Sequence, residues 1–288
     1  MSIESHSPPA RWRPSPLVGA SFGLHAAALA TVLARPSAWP WALGAVVADH
    51  ALLIALGLTP RSRLLGPNWT RLPEAAAGRG EIALTLDDGP DPRITPRVLE
   101  LLEERGARAT FFCIGERVQR HAELTREMAR RGHAVENHSQ RHLHRFSLLG
   151  PRGLLSEIER AQDTIGITTG QQPLFFRAPA GLRSPFLDPV LSRLGLRLAS
   201  WTRRGFDTVS TSAEVVLGRL TRGLSAGDIL LLHDGRGARA ASGAPLALEV
   251  LPRLLDALAA ADLTPVTLRA ALACEDPFPA ASRSTAAR

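Results

Sequence analysis

The sequence predicts an α/β domain with a parallel sheet or barrel, preceded by an N-terminal transmembrane helical hairpin. Two observations carry this. Residues 17–58 hold two long apolar stretches separated by one short turn, and from Gly80 onward strand-like runs alternate with amphipathic helical ones. A chain of 288 residues is long enough for one sizeable domain and such an appendage.

Composition narrows the partners. The formal charge is +7, and all 34 basic residues are Arg; Lys and Tyr are absent, which reads as a codon bias of the source genome. The arginines are scattered, without the basic stripe and interleaved aromatics of nucleic-acid modules, so no nucleic-acid partner is expected. Affinity for anionic lipid surfaces is the more economical reading of the charge. Two cysteines make no disulfide framework, and Cys113, inside the apolar run 109–114, reads as core.

Residues 1–16 form a polar, Pro-rich tail carrying Arg11 and Arg13. The stretch 17–34 has 18 residues without a formal charge, and 39–58 has 20 with a single acid, Asp49. At about 1.5 Å per residue each reaches roughly 27–30 Å as a helix, the thickness of a bilayer core. In a hairpin turning near Ser37, His25 and Asp49 sit at similar depth, so His25 is expected to pair with Asp49 or His50. A signal peptide with a cleavage region near Ala28 to Ala34 is the competing reading of the first stretch. Arg11 and Arg13 before the hairpin and Arg61, Arg63 and Arg71 after it, against Arg35 in the turn, put both ends in the cytoplasm. The protein is thus expected to be anchored in the inner (cytoplasmic) membrane, with the domain on the cytoplasmic side.

Residues 59–79, rich in Pro, Gly and Arg, read as a linker to a domain spanning 80–275, and 276–288 as a disordered tail. Within the domain, 81–86 is a buried-strand run. Residues 95–105 show helical periodicity stopped by Gly106. A strand at 109–114, a helix at 116–131 closed by Gly132, a strand at 133–136, a helix at 153–165 and a strand at 174–176 follow. Later strands are expected at 197–201, 228–232 and 264–268.

In such folds functional groups gather at the carboxyl ends of strands. Those ends present Asp87-Asp88-Gly89-Pro90, His138-Ser139-Gln140-Arg141-His142, Arg177-Ala178-Pro179-Ala180-Gly181, Trp201 leading to Asp207, and Leu231-Leu232-His233-Asp234. The i, i+4 spacing of His138 and His142 predicts two imidazoles on one side of a helical turn, within reach of one ion. One carboxylate of the Asp pair completes three ligands and leaves positions open for water, as a catalytic site requires. The other carboxylate is then free to accept a proton from water whose pKa the ion lowers. Spacing alone does not say which Asp does which. A His pair on a helix surface and an Asp-Asp-Gly-Pro turn are both ordinary in isolation; their combination is what points to a metal.

The ordered set Thr-Leu-Asp-Asp-Gly-Pro, His-Ser-Gln-Arg-His, Arg-Ala-Pro-Ala-Gly, Trp201 with Asp207 six residues on, and Leu-Leu-His resembles the polysaccharide deacetylases, carbohydrate esterase family 4, also called the NodB homology domain. The resemblance covers about residues 80–272. It implies a distorted (β/α) barrel with fewer than eight regular units and a hydrolase acting on carbon–nitrogen bonds other than peptide bonds. By resemblance, Asp87 is the general base, and Asp88, His138 and His142 hold a divalent metal, Zn2+ being the usual ion. Arg177 resembles the residue orienting the base, Asp207 its partner, which also tunes the acid, and His233 the general acid. The backbone N–H of Ala180 is similar in position to the oxyanion donor. The chain departs from the pattern at Ala180, usually aromatic, at Thr208, where Trp is common, and at Arg204, where an acid is common. Trp201, Arg203 and Arg204 therefore suggest a cationic substrate rim, facing an anionic group such as the phosphate of a lipid-linked sugar. His121, His133 and His144 have no motif role.

The expected function is metal-dependent removal of an acyl group, N-acetyl foremost, from an amino sugar of a glycan or lipid-linked saccharide. Two other readings compete: a non-catalytic membrane-anchored glycan-binding protein, and a 2-His-1-carboxylate iron oxygenase. The oxygenase leaves Asp87, Arg177 and His233 without roles.

Overall fold

The computed structural model describes residues 12–273, so Arg11, Cys274 and the tail expected at 276–288 lie outside the described residues. Two helices open it, α1 (Pro16–Ala34) and α2 (Trp39–Gly57), joined by a 3-10 turn at Pro36–Ala38. Ser15 caps α1 by accepting from Val18 N at 3.3 Å, and Pro16 supplies a first-turn residue whose missing N–H costs nothing there. The helices pack side by side and are both long and apolar enough to cross a membrane. Most of their apolar surface is exposed, with Leu33, Trp41 and Ile54 among the most open side chains. Within the pair, His25 Nε2 lies 3.2 Å from His50 Nε2, whereas Asp49 accepts from Ser21 Oγ at 2.6 Å. Across the hairpin His25 thus meets both candidates, His50 at Nε2 and Asp49 at 4.0 Å from Nδ1.

The feet of the hairpin are tied to the domain. Trp12 Nε1 donates to Asp188 at 2.7 Å, Ser15 Oγ to Leu64 O at 2.7 Å, and Arg183 N to Gly57 O at 3.1 Å. Beyond a short helix α3 (Glu74–Ala77), β1 (Glu81–Asp87), α4 (Thr95–Glu104), β2 (Thr110–Cys113), α5 (Gly115–Arg120), α6 (Ala122–Arg130), β3 (Ala134–Asn137), α7 (Pro151–Thr169) and β4 (Phe175–Phe176) alternate. The series continues with α8 (Leu187–Arg193), β5 (Arg197–Leu198), β6 (Arg203–Arg204), α9 (Ala213–Thr221), β7 (Ile229–His233), α10 (Leu246–Ala260), β8 (Thr264–Val266) and α11 (Leu268–Ala273). Seven strands run in the order β5-β4-β3-β2-β1-β7-β6, and β8 pairs with the first half of β1. Every strand pair is parallel, giving a curled, distorted barrel of the expected class.

The two-residue period of a strand decides which side chains face the site. On β1, Ile82, Leu84 and Leu86 join the apolar layer under α4 and α10, so Ala83, Thr85 and Asp87 face the barrel interior. On β7, Leu230 and Leu232 face the helices, which leaves Ile229, Leu231 and His233 inside. Register then sets Asp87 directly beside His233. Cys113 lies in the outer apolar layer, where burial raises its thiol pKa, consistent with a core role.

Three local expectations are corrected. Residues 59–79 are not a free linker: Trp69 N donates to Leu198 O, Ser200 N to Trp69 O, and Leu72 N to Gly227 O, at 2.8–2.9 Å. This stretch fills the gap between the end strand β5 and the β6–β7 edge, and its own Leu65 and Leu72 are buried. The helix expected over 116–131 is two helices, because His121 leaves the helical region at φ −128°, ψ 47°. The strand expected over 197–201 ends at Leu198, since the chain must cross from its pairing with β4 to pair with β7 as β6.

Candidate metal centre and active site

Three positive-φ residues shape the candidate ligand cluster. Asp88 stands at φ 71°, Ser139 at 64° and His142 at 52°, a region that Asp tolerates better than most residues. The stretch from His138 to His142 is therefore an irregular loop, which corrects the helical turn expected from the spacing. Asn137 Oδ1 accepts from Ser139 N at 2.9 Å and Ser139 Oγ from His142 N at 3.0 Å, while Arg141 is held by Glu157 of α7 at 2.7 Å. The loop's shape is thus fixed by its own polar side chains and by the helix behind it.

Asp88, His138 and His142 converge. Asp88 Oδ1 lies 3.4 Å from His138 Nε2 and 3.2 Å from His142 Nε2, and the two rings are 4.9 Å apart. That carboxylate oxygen is buried without a hydrogen-bond partner among the described residues. Burial acts to raise the Asp88 pKa, but neighbouring His138, His142 and His233 outweigh it and hold the carboxyl far below its usual range. Burial and the neighbouring His138 push His142 down to about 4, so its ring is neutral and able to ligate. His138 Nδ1 is 2.8 Å from Arg177 O, a contact that protonates Nδ1 and leaves the Nε2 lone pair free. An orphaned anionic oxygen facing two imidazole nitrogens fits a divalent cation.

Asp87 sits beside this cluster, its Oδ2 3.9 Å from His138 Nε2. Its other oxygen accepts from Arg177 Nη1 at 2.7 Å. Arg177 is fully buried and spends its fork on Thr85 Oγ1 (2.8 Å), Ala199 O (3.1 Å) and Ser200 O (2.7 Å), with its guanidinium 4.0 Å over the Phe112 ring. Desolvation lowers its pKa, and Asp87 works against that.

Asp207 does not partner Arg177. Phe206, at φ 58°, turns the chain so that Asp207 Oδ2 accepts from His233 N (2.7 Å) and Oδ1 meets His233 Nδ1 (2.9 Å). Burial opposes protonation of His233, yet Asp207 and then Asp87 and Asp88 prevail and raise its pKa. His233 Nε2 is left for the cavity, whose volume is about 200 Å³ and whose lining includes Ala180, Trp201 and Arg204. Ala180 reaches it through a left-handed backbone at φ 55°. Arg203 does not: its guanidinium is bound to Asp228 at 2.5 Å and to the carbonyls of Arg222 and Gly223, outside the cavity. Trp201 and Arg204 remain at the rim, the guanidinium 5.3 Å from the Trp201 ring and its Nε buried without a partner.

The polysaccharide deacetylase family model matches residues 74–199. A peptidoglycan-N-acetylglucosamine deacetylase of Bacillus cereus is 36% identical over 175 residues, covering 60% of this chain and 81% of the relative. The chain belongs to the polysaccharide deacetylase family. A chitooligosaccharide deacetylase of Azorhizobium caulinodans is 34% identical, over 54% of this chain and 75% of its own length. The family 4 carbohydrate esterase of Streptomyces lividans, solved in complex with acetate, is 31% identical with a TM-score of 0.59, over 65% of this chain and 91% of that one. Membership makes the protein a deacetylase-like hydrolase acting on non-peptide carbon–nitrogen bonds, and displaces the oxygenase reading.

Sequence reasoning missed four residues. Thr85, quoted only as the first residue of the Asp-Asp motif, and Ser200, which lies in no motif, hold Arg177. Gly235 approaches so closely that a Cβ there would lie 2.1 Å from Asp88 O, and a glycine right after His233-Asp234 was its only signal. Arg236 Nη1 is 3.2 Å from His142 Nδ1, with nothing in the sequence to mark it. His133, which has no motif role, is buried: it accepts from Ala109 N at 3.2 Å, and burial pushes it down to about 4.

Proposed function

We propose that the protein is a membrane-anchored, metal-dependent hydrolase that removes an N-acetyl group from an amino sugar of a glycan or lipid-linked saccharide. The observation carrying this is the partnerless Asp88 oxygen shared by His138 and His142, flanked by Asp87 on one side and His233 on the other. Asp88, His138 and His142 would hold the ion, for which Zn2+ suits the two-nitrogen, one-oxygen set. When bound, a divalent ion lowers the pKa of water and polarises the acyl carbonyl.

Asp87 takes the proton of the attacking water, and Arg177 keeps that carboxylate aimed. Water oxygen adds to the acyl carbon, and Ala180 N–H stabilises the oxyanion that forms. His233, kept protonated by Asp207, gives its proton to the amine as the carbon–nitrogen bond breaks, so that acetate and a free amino sugar leave. N-acetylglucosamine is the substrate unit, because the relatives named above are deacetylases of peptidoglycan N-acetylglucosamine and of chitooligosaccharides.

The anchor is the helix pair, whose exposed apolar surface would be costly in water and is stabilised in lipid. Arg13, Arg61 and Arg63 at its feet, against Arg35 at its turn, support a cytoplasmic placement of the domain; protease digestion of the domain in inside-out but not right-side-out vesicles checks this. The catalytic reading is tested with the full chain in detergent, loaded with Zn2+, by acetate release from N-acetylglucosamine oligomers and from a prenyl-phosphate-linked N-acetylglucosamine. Asp87→Asn should cut the rate by about 10²–10⁴-fold, and a variant as active as the parent ends the proposal.

A further inference from the structure

The last turns of α2 do more than reach the domain; they form one wall of a groove. Leu53, Ile54 and Leu58 face Leu148, Pro185 and Phe186 across a cleft of about 320 Å³. These apolar side chains are not packed away: Ile54 is 63% exposed, Leu58 59%, Leu148 85% and Phe186 51%. Leu148 and Phe186 belong to the catalytic domain, where solvent should disfavour them, yet they extend the apolar surface of the hairpin onto the domain.

The cleft is aligned with the active site. Gly57 is pressed so closely on the 183–186 loop that a Cβ there would sit 2.2 Å from Arg183 O, and its carbonyl accepts from Arg183 N. Three residues on, Pro60 touches Gly181, where a Cβ would lie 2.7 Å from the proline ring, and Gly181 lines the catalytic cavity. Beside Pro60 a recess holds Arg61 and Arg204, and it shares Trp201 and Arg204 with that cavity. Arg61 donates only to the carbonyl of Thr202, at 3.0 Å, and Arg204 Nε has no partner; neither arginine forms an ion pair with a carboxylate among the described residues. Along residues 53–61 the chain therefore passes an apolar groove, then two uncompensated cations, then the cavity holding Asp87, Asp88 and His233.

That order, apolar then cationic then catalytic, matches a lipid whose tail, anionic link and sugar follow in the same sequence. We propose that the groove between α2 and residues 148 and 185–186 seats the hydrocarbon chain of a membrane lipid. Its phosphate lies at Arg61 and Arg204, and its headgroup carries the acylated amino sugar. This deepens the deacetylase reading and rests on it for the sugar. The hydrocarbon site itself stands on the groove.

The test uses the full chain in nanodiscs and, as probe, a farnesyl phosphate bearing a diazirine on its chain. Photolabelling should map to peptides containing residues 50–58, 147–148 or 183–186, and should be competed by farnesyl phosphate and by farnesol but not by inorganic phosphate. Leu148→Glu, at a position open enough to leave the fold intact, should reduce labelling about tenfold, and Leu148→Met should restore it. In the same preparation, turnover of soluble N-acetylglucosamine oligomers should be unchanged by Leu148→Glu. Labels elsewhere, labelling indifferent to Leu148→Glu, or competition by phosphate alone would overturn the proposal. So would a dimer that Leu148→Glu dissociates, which would give the groove to a second copy of the chain. If the parent protein releases no acetate from any substrate, the deacetylase reading fails while the labelling map still decides the groove.

Discussion

Arg177→Lys is the most informative single change, because the guanidinium serves four different buried acceptors. Arg177 is 1% exposed and reaches Thr85 Oγ1, Asp87 Oδ1, Ala199 O and Ser200 O from three nitrogens on one rigid plane. An ammonium is a point charge with three donors and cannot span that set, so two acceptors lose their partner. At about 1–3 kcal/mol for each buried polar group left unsatisfied, and with a buried ion pair loosened, the loss is about 3–5 kcal/mol. For a domain of this size that lowers the melting temperature by roughly 6–20 °C. Catalysis should suffer separately, because an Asp87 carboxylate released by even an ångström loses about 10²-fold in rate. Thermal unfolding in detergent at fixed Zn2+, alongside acetate release normalised to folded protein, measures both. A melting point within ~2 °C of the parent, with unaltered kcat/KM, would mean that the fork is not what holds the base, and the reasoning would fall.

Three further changes probe the surrounding parts. Asp207→Asn removes the charge that raises the His233 pKa, so the alkaline limb of the kcat/KM profile should move to lower pH, as pH–rate profiles of parent and variant would reveal. By the same linkage, a histidine whose folded pKa is raised contributes stability below its unfolded value of 6.5 and loses it as pH rises through the folded value; melting curves of Asp207→Asn should lack that dependence. Gly235→Ala would force a methyl group to within 2.1 Å of Asp88 O, displacing a ligand, so Zn2+ affinity measured by chelator competition should fall about 10–100-fold. Arg236→Ala should do the opposite: a guanidinium only donates, so its contact with His142 Nδ1 favours the tautomer protonated at Nε2, the atom facing Asp88, and removing it should tighten Zn2+ binding in the same titration.

The parallel barrel was legible because strand runs such as 81–86 and 109–114 are mostly apolar and end at acidic or polar turns, a pattern few other folds share. Site residues were legible for a related reason: Asp87 and His233 fall at strand ends on the inward parity, so position and chemistry coincide. What escaped depends on contacts between distant parts of the chain. The irregular His138–His142 loop rests on side-chain bonds of Asn137 and Ser139 that spacing rules do not encode. Arg203 and Arg204 are adjacent and identical in type, yet strand alternation sends one to Asp228 and the other to the cavity. Residues 59–79 looked like a linker because Pro, Gly and Arg dominate them, and only the gap between the two ends of the sheet explains why such a stretch becomes ordered.

That last stretch constrains how the enzyme can be handled. Removing everything before residue 79 would strip Leu198 O, Gly227 O and Ser200 N of their partners and leave a raw sheet edge where the barrel wall should be. It would also take away Pro60 O, which accepts at 2.7 Å from the hydroxyl of Ser200, the residue whose own carbonyl holds the buried arginine. A fragment lacking the helix pair therefore has to begin near Thr59, and residues 59–79 and the barrel wall have to be treated as a single piece of architecture.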